Sequence, residues 1–199
     1  MVAVITGDVI NSRGGKTKDW LSSLKQVLNH YGEEPKDWEI FRGDSFQLSL
    51  QPKNALIATI HIKAVIKQSK SQDVRMGIGL GEETHKAPKV TESNGSAYIL
   101  SGECFDALKK QTLSVKSHNS ELNEMLNLML SLSLLTANSW TPIVAEVIKT
   151  ALENPEKNQK KLAMLLNKSQ SSVSEALNRG GFEEIMAMNN FYKGQIQNL

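Results

Sequence analysis

The hydrophobic pattern of the chain changes near residues 116–120. Before that point, short runs of β-branched and aromatic residues alternate with stretches whose apolar residues recur every three or four positions. This pattern predicts strands that alternate with amphipathic helices, whereas only the helical period continues afterwards. The predicted strands are 2–6, 38–42, 45–50, 74–80 and 112–116, and the predicted helices are 20–31, 55–66, 97–110, 122–134, 140–152 and a helix pair within 158–180.

The order of the first elements predicts the fold class. A β-α-β-β-α-β order is typical of a ferredoxin-like or palm-type domain, so we predict an α/β (α+β) protein. The palm-like domain would span 1–118, and an all-α helix-turn-helix domain would span 119–199. The apolar run at 2–6 is too short for a signal peptide, and the helix at 122–137 is too short and polar for a bilayer. We therefore expect a cytoplasmic protein without a membrane partner.

The segment 158–180 predicts a helix-turn-helix motif. Asn167 can adopt the left-handed conformation that a tight turn requires. Ser169 follows it and can cap the second helix. Apolar residues at helical spacing would pack the two helices together: Leu162, Ala163, Leu166, Val173, Ala176 and Leu177.

Polar and basic side chains surround this predicted second helix. The overall net charge of +2 is too small to indicate a polyanion partner, but residues 157–179 contain five basic residues and one acidic residue. Short polar side chains suit base edges and lysines suit phosphates, so we predict double-stranded DNA as the partner. A helical hairpin for protein interaction stays open, because a solvated lysine-rich face has a similar composition. The predicted DNA-binding residues are Lys157, Lys160, Lys161, Lys168, Ser169, Gln170, Ser171, Ser174 and Arg179.

The DNA-binding hypothesis also predicts a homodimer, because such a regulator usually reads two half-sites. The helix at 122–135 has leucine and methionine residues on more than one face. This pattern fits a buried core helix and a dimer seam equally well.

Two aspartates are candidate metal ligands. Asp8 follows the first predicted strand, and Asp44 lies at the tip of the predicted hairpin. If that strand pairs beside the hairpin, both carboxylates reach one end of the sheet. Paired carboxylates suit Mg²⁺ or Mn²⁺, usually together with the phosphates of a nucleotide. Gly-Asp is also ordinary turn chemistry, so a purely local role stays open.

This arrangement resembles the class III nucleotide cyclase and GGDEF palm domains, and VRMGIGLGE at 74–82 is similar to a strand of the cyclases. The cyclases use an asparagine and an arginine of a helix to position the ribose and to neutralise the triphosphate. The corresponding residues here are Ile99 and Glu103. An apolar side chain cannot orient a ribose, and a carboxylate repels a phosphate. The resemblance thus implies that cyclase chemistry is lost, while a nucleotide or metal pocket remains.

Five motifs are spread over most of the chain: VITGDVINSR, WEIFRGDSFQL, DVRMGIGLGE, ESNGSAYILSGECFDALK and KLAMLLNKSQSSVSEALNR. In these motifs the chain resembles the SatD family of bacterial proteins. The resemblance implies a small cytoplasmic bacterial regulator without assigned chemistry.

Two functional hypotheses follow. The first is a DNA-binding transcriptional regulator with a degenerate cyclase-like domain for sensing or assembly. The alternative is a divergent metal-dependent nucleotidyl cyclase or nucleotidyltransferase whose helical half docks a partner. The missing asparagine and arginine favour the regulator, whereas Asp8 and Asp44 keep the enzyme open.

Overall fold

The computed structural model describes residues 1–13 and 17–197, with the side chains of residues 17–19 outside the description. The strands in this part of the chain are β1 (Val2–Ile10), β2 (Trp38–Phe41), β3 (Ser45–Leu50), β4 (Asp73–Gly81) and β5 (Leu113–Lys116). The α-helices are α1 (Thr17–Asn29), α2 (Ala55–Ile66), α3 (Ser96–Asp106), α4 (Ser120–Ala137), α5 (Pro142–Glu153), α6 (Gln159–Leu165), α7 (Gln170–Gly180) and α8 (Phe182–Ile196).

The strands form one mixed sheet in the order β2-β3-β1-β4-β5. Strand β1 is antiparallel to both β3 and β4, and β5 adds to β4 in the parallel direction. The elements from β1 to β4 follow the β-α-β-β-α-β order, so the predicted mixed α+β class is confirmed. None of the helices in the described residues is long and apolar enough to cross a membrane.

The two faces of the sheet are covered by different helices. Ala3 and Ile5 of β1 belong to the main hydrophobic core, which also contains the buried residues of α1 and α2. The alternate residue Val4 packs instead with Ala97 and Tyr98 of α3. Because side chains alternate along a strand, α3 lies on the face opposite to α1 and α2.

Glycines of β4 allow α3 to lie directly on the sheet. A Cβ atom at Gly79 would be 2.1 Å from the backbone oxygen of Ala97, and one at Gly77 would be 2.5 Å from the backbone nitrogen of Phe105. Both distances are far shorter than a van der Waals contact, and both neighbours are backbone atoms. The glycines therefore set the distance between helix and sheet.

Helix α2 is buried on almost every side. Eleven of its twelve residues are buried. Its sequence is apolar all round, which is typical of a helix enclosed by other elements. Its two long polar side chains have partners: Lys63 donates to Asp73 of β4 at 2.7 Å, and His61 lies 3.2 Å from Glu153 of α5.

The helical half packs on α2 without a separate core. One continuous cluster of buried apolar residues includes the sheet, α2 and the helices α4 to α8. Tyr192 of α8 also donates a hydrogen bond of 2.7 Å to the backbone oxygen of Pro52, just before α2. The boundary proposed at residue 118 thus falls between β5 and α4, in a chain whose two halves share buried surface. Helix α8 has no counterpart among the predicted elements.

Replacing Gly79 by alanine tests the close packing of α3 on β4. The new methyl group would meet the backbone of α3, so we expect Gly79→Ala to lower the free energy of unfolding by about 2–4 kcal/mol. Gly102→Ala on α3 is a matched control, because a Cβ at Gly102 has no heavy atom within 4 Å. The free energy of unfolding of the control should be unchanged or rise by up to about 1 kcal/mol. Urea unfolding measures both changes, and equal stability of Gly79→Ala and wild type would contradict this packing.

Candidate nucleic-acid interface and acidic cleft

The helix pair α6 and α7 has the turn predicted from the sequence. Asn167 is left-handed, with a φ of 52°, as expected for the turn residue. Ser169 precedes α7, and its hydroxyl accepts a hydrogen bond of 3.1 Å from the backbone nitrogen of Ser172. Asn158 caps α6 in the same way, accepting from the nitrogen of Lys161 at 3.0 Å. The two helices, the turn and the Ser169 cap are therefore confirmed.

Helix α7 is held in place by α5 as well as by α6. Trp140, just before α5, donates an indole hydrogen bond of 3.0 Å to the backbone oxygen of Gly180. A Cβ at Gly180 would lie 2.7 Å from Cδ1 of Ile148, so α7 and α5 are in close contact at this point. Leu166 is half-buried, and the other predicted contact residues are buried: Leu162, Ala163, Val173, Ala176 and Leu177.

The start of α7 presents short polar side chains to solvent. Gln170 and Ser171 are exposed, and Ser174, one turn later, is half-buried. The Ser169 and Ser171 hydroxyls are 2.9 Å apart. The structure thus places Gln170, Ser171 and Ser174 at the N-terminal end of one helix, next to the Ser169 cap.

The predicted phosphate-contacting residues fall into two groups. Lys168 is 3.0 Å from Glu146 of α5, Lys157 is 2.5 Å from Glu156, and Arg179 is 3.6 Å from Glu175. Lys160 and Lys161 lie in the first turn of α6 with exposed side chains, and neither has an ion-pair partner among the described residues. These two lysines are the cations most available to a phosphate.

Asp8 and Asp44 lie at the same end of the sheet, as the order of strands suggested. Asp8 of β1 pairs with Ser45 of β3, the residue after Asp44, and the nitrogen of Val9 donates to the oxygen of Asp44 at 3.2 Å. Both aspartates line an open cleft of about 710 Å³, together with Arg13 and Arg75.

Each carboxylate in this acidic cleft already has a partner from the protein. Arg75 of β4 lies opposite Asp8 and donates to both carboxylate oxygens, from Nε at 3.0 Å and from Nη2 at 2.5 Å. This bidentate bond raises the pKa of Arg75. Ser12 donates to Asp44 at 2.5 Å. Sequence reasoning missed the pairing of Asp8 with Arg75, because it depends on the register between β1 and β4.

The donor set does not form a closed metal site. In the described part of the chain, no group of three His, Cys, Asp or Glu residues could hold a metal ion. A cation bound by Asp8 must replace the Arg75 guanidinium and take most of its ligands from water or phosphate. The metal-binding role of Asp8 and Asp44 stays a prediction.

The residues at the cyclase ribose and phosphate positions lie on α3. Ile99 has 57% of its side chain exposed, and Glu103 is 2.9 Å from Lys116 of β5. Neither side chain supplies a group that could bind a nucleotide in the way that an asparagine or an arginine does.

The chain is a mixed α/β protein whose C-terminal half contains two short helices joined by a tight turn. A model of the SatD family matches residues 1–190. The chain therefore belongs to the SatD family. A search of curated proteins finds no match to the chain.

Divalent ions test the pair of aspartates. If Asp8 and Asp44 bind Mn²⁺ or Mg²⁺, the ion should raise the melting temperature of the wild type, because a ligand of the native state stabilises it by mass action. Asp8→Asn and Asp44→Asn should each remove this increase. Asp106→Asn changes an exposed aspartate at the end of α3 and should respond like the wild type. Scanning calorimetry with and without the ion measures these melting temperatures. If the ion does not change the melting temperature of the wild type, both aspartates have structural roles only.

Proposed function

We propose that this protein is a DNA-binding transcriptional regulator, with α7 as its recognition helix. The observation that carries the proposal is the exposed polar start of α7 on a helix whose opposite face is fixed by α5 and α6. In helix-turn-helix proteins the first residues of the recognition helix contact base edges in the major groove. Gln170 can donate and accept at a base edge, and Ser171 can do either with one hydroxyl.

The exposed lysines of α6 complement this surface. In helix-turn-helix proteins the first helix crosses the DNA backbone, where cations contact phosphates. Lys160 and Lys161 lie in the first turn of that helix and have exposed side chains. Lys168 and Arg179 can contribute only by exchanging their carboxylate partners for phosphates, so we expect smaller contributions from them.

The acidic cleft supports a sensing role for the palm-like half rather than catalysis. Arg13 and Arg75 beside Asp8 and Asp44 offer charges of both signs to a ligand such as a nucleotide with Mg²⁺ or Mn²⁺. The absence of cyclase-type groups at Ile99 and Glu103 speaks against turnover. The alternative function, a divergent nucleotidyl cyclase or nucleotidyltransferase, would require another cation, such as Arg75, to leave Asp8 and stabilise the reacting phosphates.

A double substitution tests the phosphate contacts. We expect Lys160→Gln with Lys161→Gln to weaken binding to all duplexes and to reduce the slope of log affinity against log salt by about one for each phosphate no longer neutralised. The matched control is Lys109→Gln with Lys110→Gln, which removes the same charge from two exposed neighbours after α3. Fluorescence anisotropy at several salt concentrations measures both slopes. Equal slopes for the two double variants would remove Lys160 and Lys161 from the interface.

Base recognition is tested by sequence preference. Gln170→Ala and Ser171→Ala should change the sequences recovered from a random duplex library. The binding free energy that separates the preferred base from the others should fall by about 1–3 kcal/mol for each base edge no longer recognised. The salt slope should stay that of the wild type, because neither residue carries charge. If the wild type shifts neither its own promoter region nor random duplex at low salt, the DNA-binding proposal is wrong.

We also infer that a second copy of the chain covers the outer face of α4. Leu128, Leu132 and Leu135 recur at i, i+4 and i+7, and they are 62%, 60% and 77% exposed. Such an uncovered apolar stripe is typical of an interaction surface. The charged residues of α4 are Glu121 and Glu124, both near its N-terminal end. Antiparallel pairing about a two-fold axis would keep these acidic ends apart, and it would supply the second recognition helix.

Replacing one exposed leucine tests this dimer. Leu132→Glu should leave the fold intact, since the side chain is outside the core, but it should shift sedimentation from dimer to monomer. A buried interface does not accept an unpaired charge. Ile99→Glu, at an equally exposed apolar residue on α3, should leave the dimer unchanged. A wild type that sediments as a monomer at the concentrations used for DNA binding would contradict the proposal.

A further inference from the structure

A second cavity lies directly behind the helix-turn-helix. Its volume is about 550 Å³, and α2, α5, α6, α7 and α8 all contribute to its wall. One face of α8 lines it through residues spaced by four, three and four positions, which are Phe182, Met186, Asn189 and Lys193. Apolar and polar residues contribute in equal numbers to its wall, and its size is within the range of small-molecule sites.

Asn189 is the unusual residue of this cavity. Its side chain is 0% exposed, and neither its amide nitrogen nor its amide oxygen has a hydrogen-bond partner. Among the described residues, buried side-chain atoms without a partner occur only at Asn189. Buried polar groups are nearly always hydrogen-bonded, because leaving them unpaired destabilises the folded state. An amide of this kind therefore points to a missing partner.

We propose that this cavity binds a planar heterocycle with a nucleobase-type edge, on which an N–H donor lies next to an acceptor. The Asn189 amide also presents a donor beside an acceptor, so one such edge can satisfy both of its groups at once. Leu152 and Phe182 provide the apolar surface on which the ring would lie. The volume leaves room for a substituent on the ring.

The Asn189 amide is closed off from solvent in the ligand-free protein, so a lining side chain must move to admit the ring. Met186 is the residue suited to this movement. It lies three positions before Asn189 on the same face of α8, it is half-buried, and methionine has three rotatable bonds. Binding would thus exchange a flexible thioether for a ring that pairs with the amide.

The cavity wall includes the residues that join the two helices of the DNA-binding motif. Leu162 of α6 and Leu177 of α7 are buried contact residues of the helix-turn-helix, and both line the cavity. A ligand bound beside these two leucines would change the position of α7 relative to α5 and α6. We infer that the heterocycle regulates DNA binding; this second step rests on the proposed function, whereas the ligand site itself does not.

Binding of free nucleobases tests the site in the full chain without DNA. The probes are methylated at the nitrogen that would carry a sugar, because free purine has an N–H donor there beside an acceptor. 9-Methyladenine and 1-methyluracil carry the donor–acceptor edge, whereas 9-methylpurine has acceptors but no N–H donor. We expect 9-methyladenine or 1-methyluracil to raise the melting temperature and to bind at least about tenfold more tightly than 9-methylpurine by titration calorimetry. Equal affinity for the three compounds, or no binding of any of them, would overturn the proposal.

Variants of Asn189 separate recognition from packing. Asn189→Leu should raise the melting temperature of the ligand-free protein, because it removes two unpaired buried groups, and it should abolish the preference over 9-methylpurine. Asn189→Ala should also abolish the preference, without any risk of overpacking. Asn190→Leu changes an exposed neighbour on α8 and should retain the preference. If Asn189→Leu lowers the stability and the wild type binds no nucleobase, Asn189 holds only a buried water.

Regulation is measured separately. At a saturating concentration of the bound nucleobase, the affinity for duplex should change by about 5- to 150-fold, the usual range of coupling between two sites. The change should be absent in Asn189→Ala. Nucleobase binding without any change in DNA affinity would overturn the regulatory step alone. Nucleobase binding by a protein that binds no duplex would overturn the proposed function and leave the ligand site standing.

Discussion

The burial of α2 is the constraint on which the rest of the structure depends. A helix that is apolar all round must be covered on every side, and no single layer of the palm-like half can do this. The sheet covers one side and the helical half covers another, so the two halves share one core. His61 adds a polar link, because its Nδ1 lies 3.0 Å from the Tyr31 hydroxyl and its Nε2 lies 3.2 Å from Glu153 of α5. Burial lowers the pKa of His61 to about 4, so the imidazole is neutral at pH 7.

Because of this shared core, the elements that form both proposed ligand sites also contribute residues to the hydrophobic core. The acidic cleft is at the end of β1, the central strand, and the cavity with Asn189 lies between α2 and the helix-turn-helix. Ile57, on the side of α2 that is not fully buried, lines this cavity. Helix α2 therefore lies between the sheet and the cavity that α7 also lines. Contact of this kind carries coupling only between elements that have two positions. The DNA affinity measured with and without the nucleobase tests this for α7.

Features that depend on neighbouring residues were predicted from the sequence, whereas contacts between residues far apart in the chain were not. The hydrophobic period predicted the strands and most helices. Asn167 and Ser169 predicted the turn, because the backbone conformation of the first and the capping hydrogen bond of the second involve only adjacent residues. The strand order also predicted that Asp8 and Asp44 lie at the same end of the sheet. The pairing of Asp8 with Arg75 spans 67 positions, and that of Lys168 with Glu146 joins the turn before α7 to α5, so neither has a local signal. Helix α8 was not predicted, because polar and apolar residues are mixed around its axis. The unpaired amide of Asn189 was not predicted either, because it depends on how distant elements pack around it.

The ion pairs change what the basic composition means for DNA binding. Five cations within 157–179 suggest a strong electrostatic surface, yet three of them are paired with carboxylates and contribute little field to an approaching phosphate. Under the proposed function, two unpaired lysines alone would give weak, salt-sensitive binding. A dimer would double these contacts and make the second half-site intramolecular, which would raise the affinity by far more than a factor of two. The proposal therefore joins the apolar stripe of α4 to the polar start of α7, because one α7 helix would bind DNA too weakly without a second.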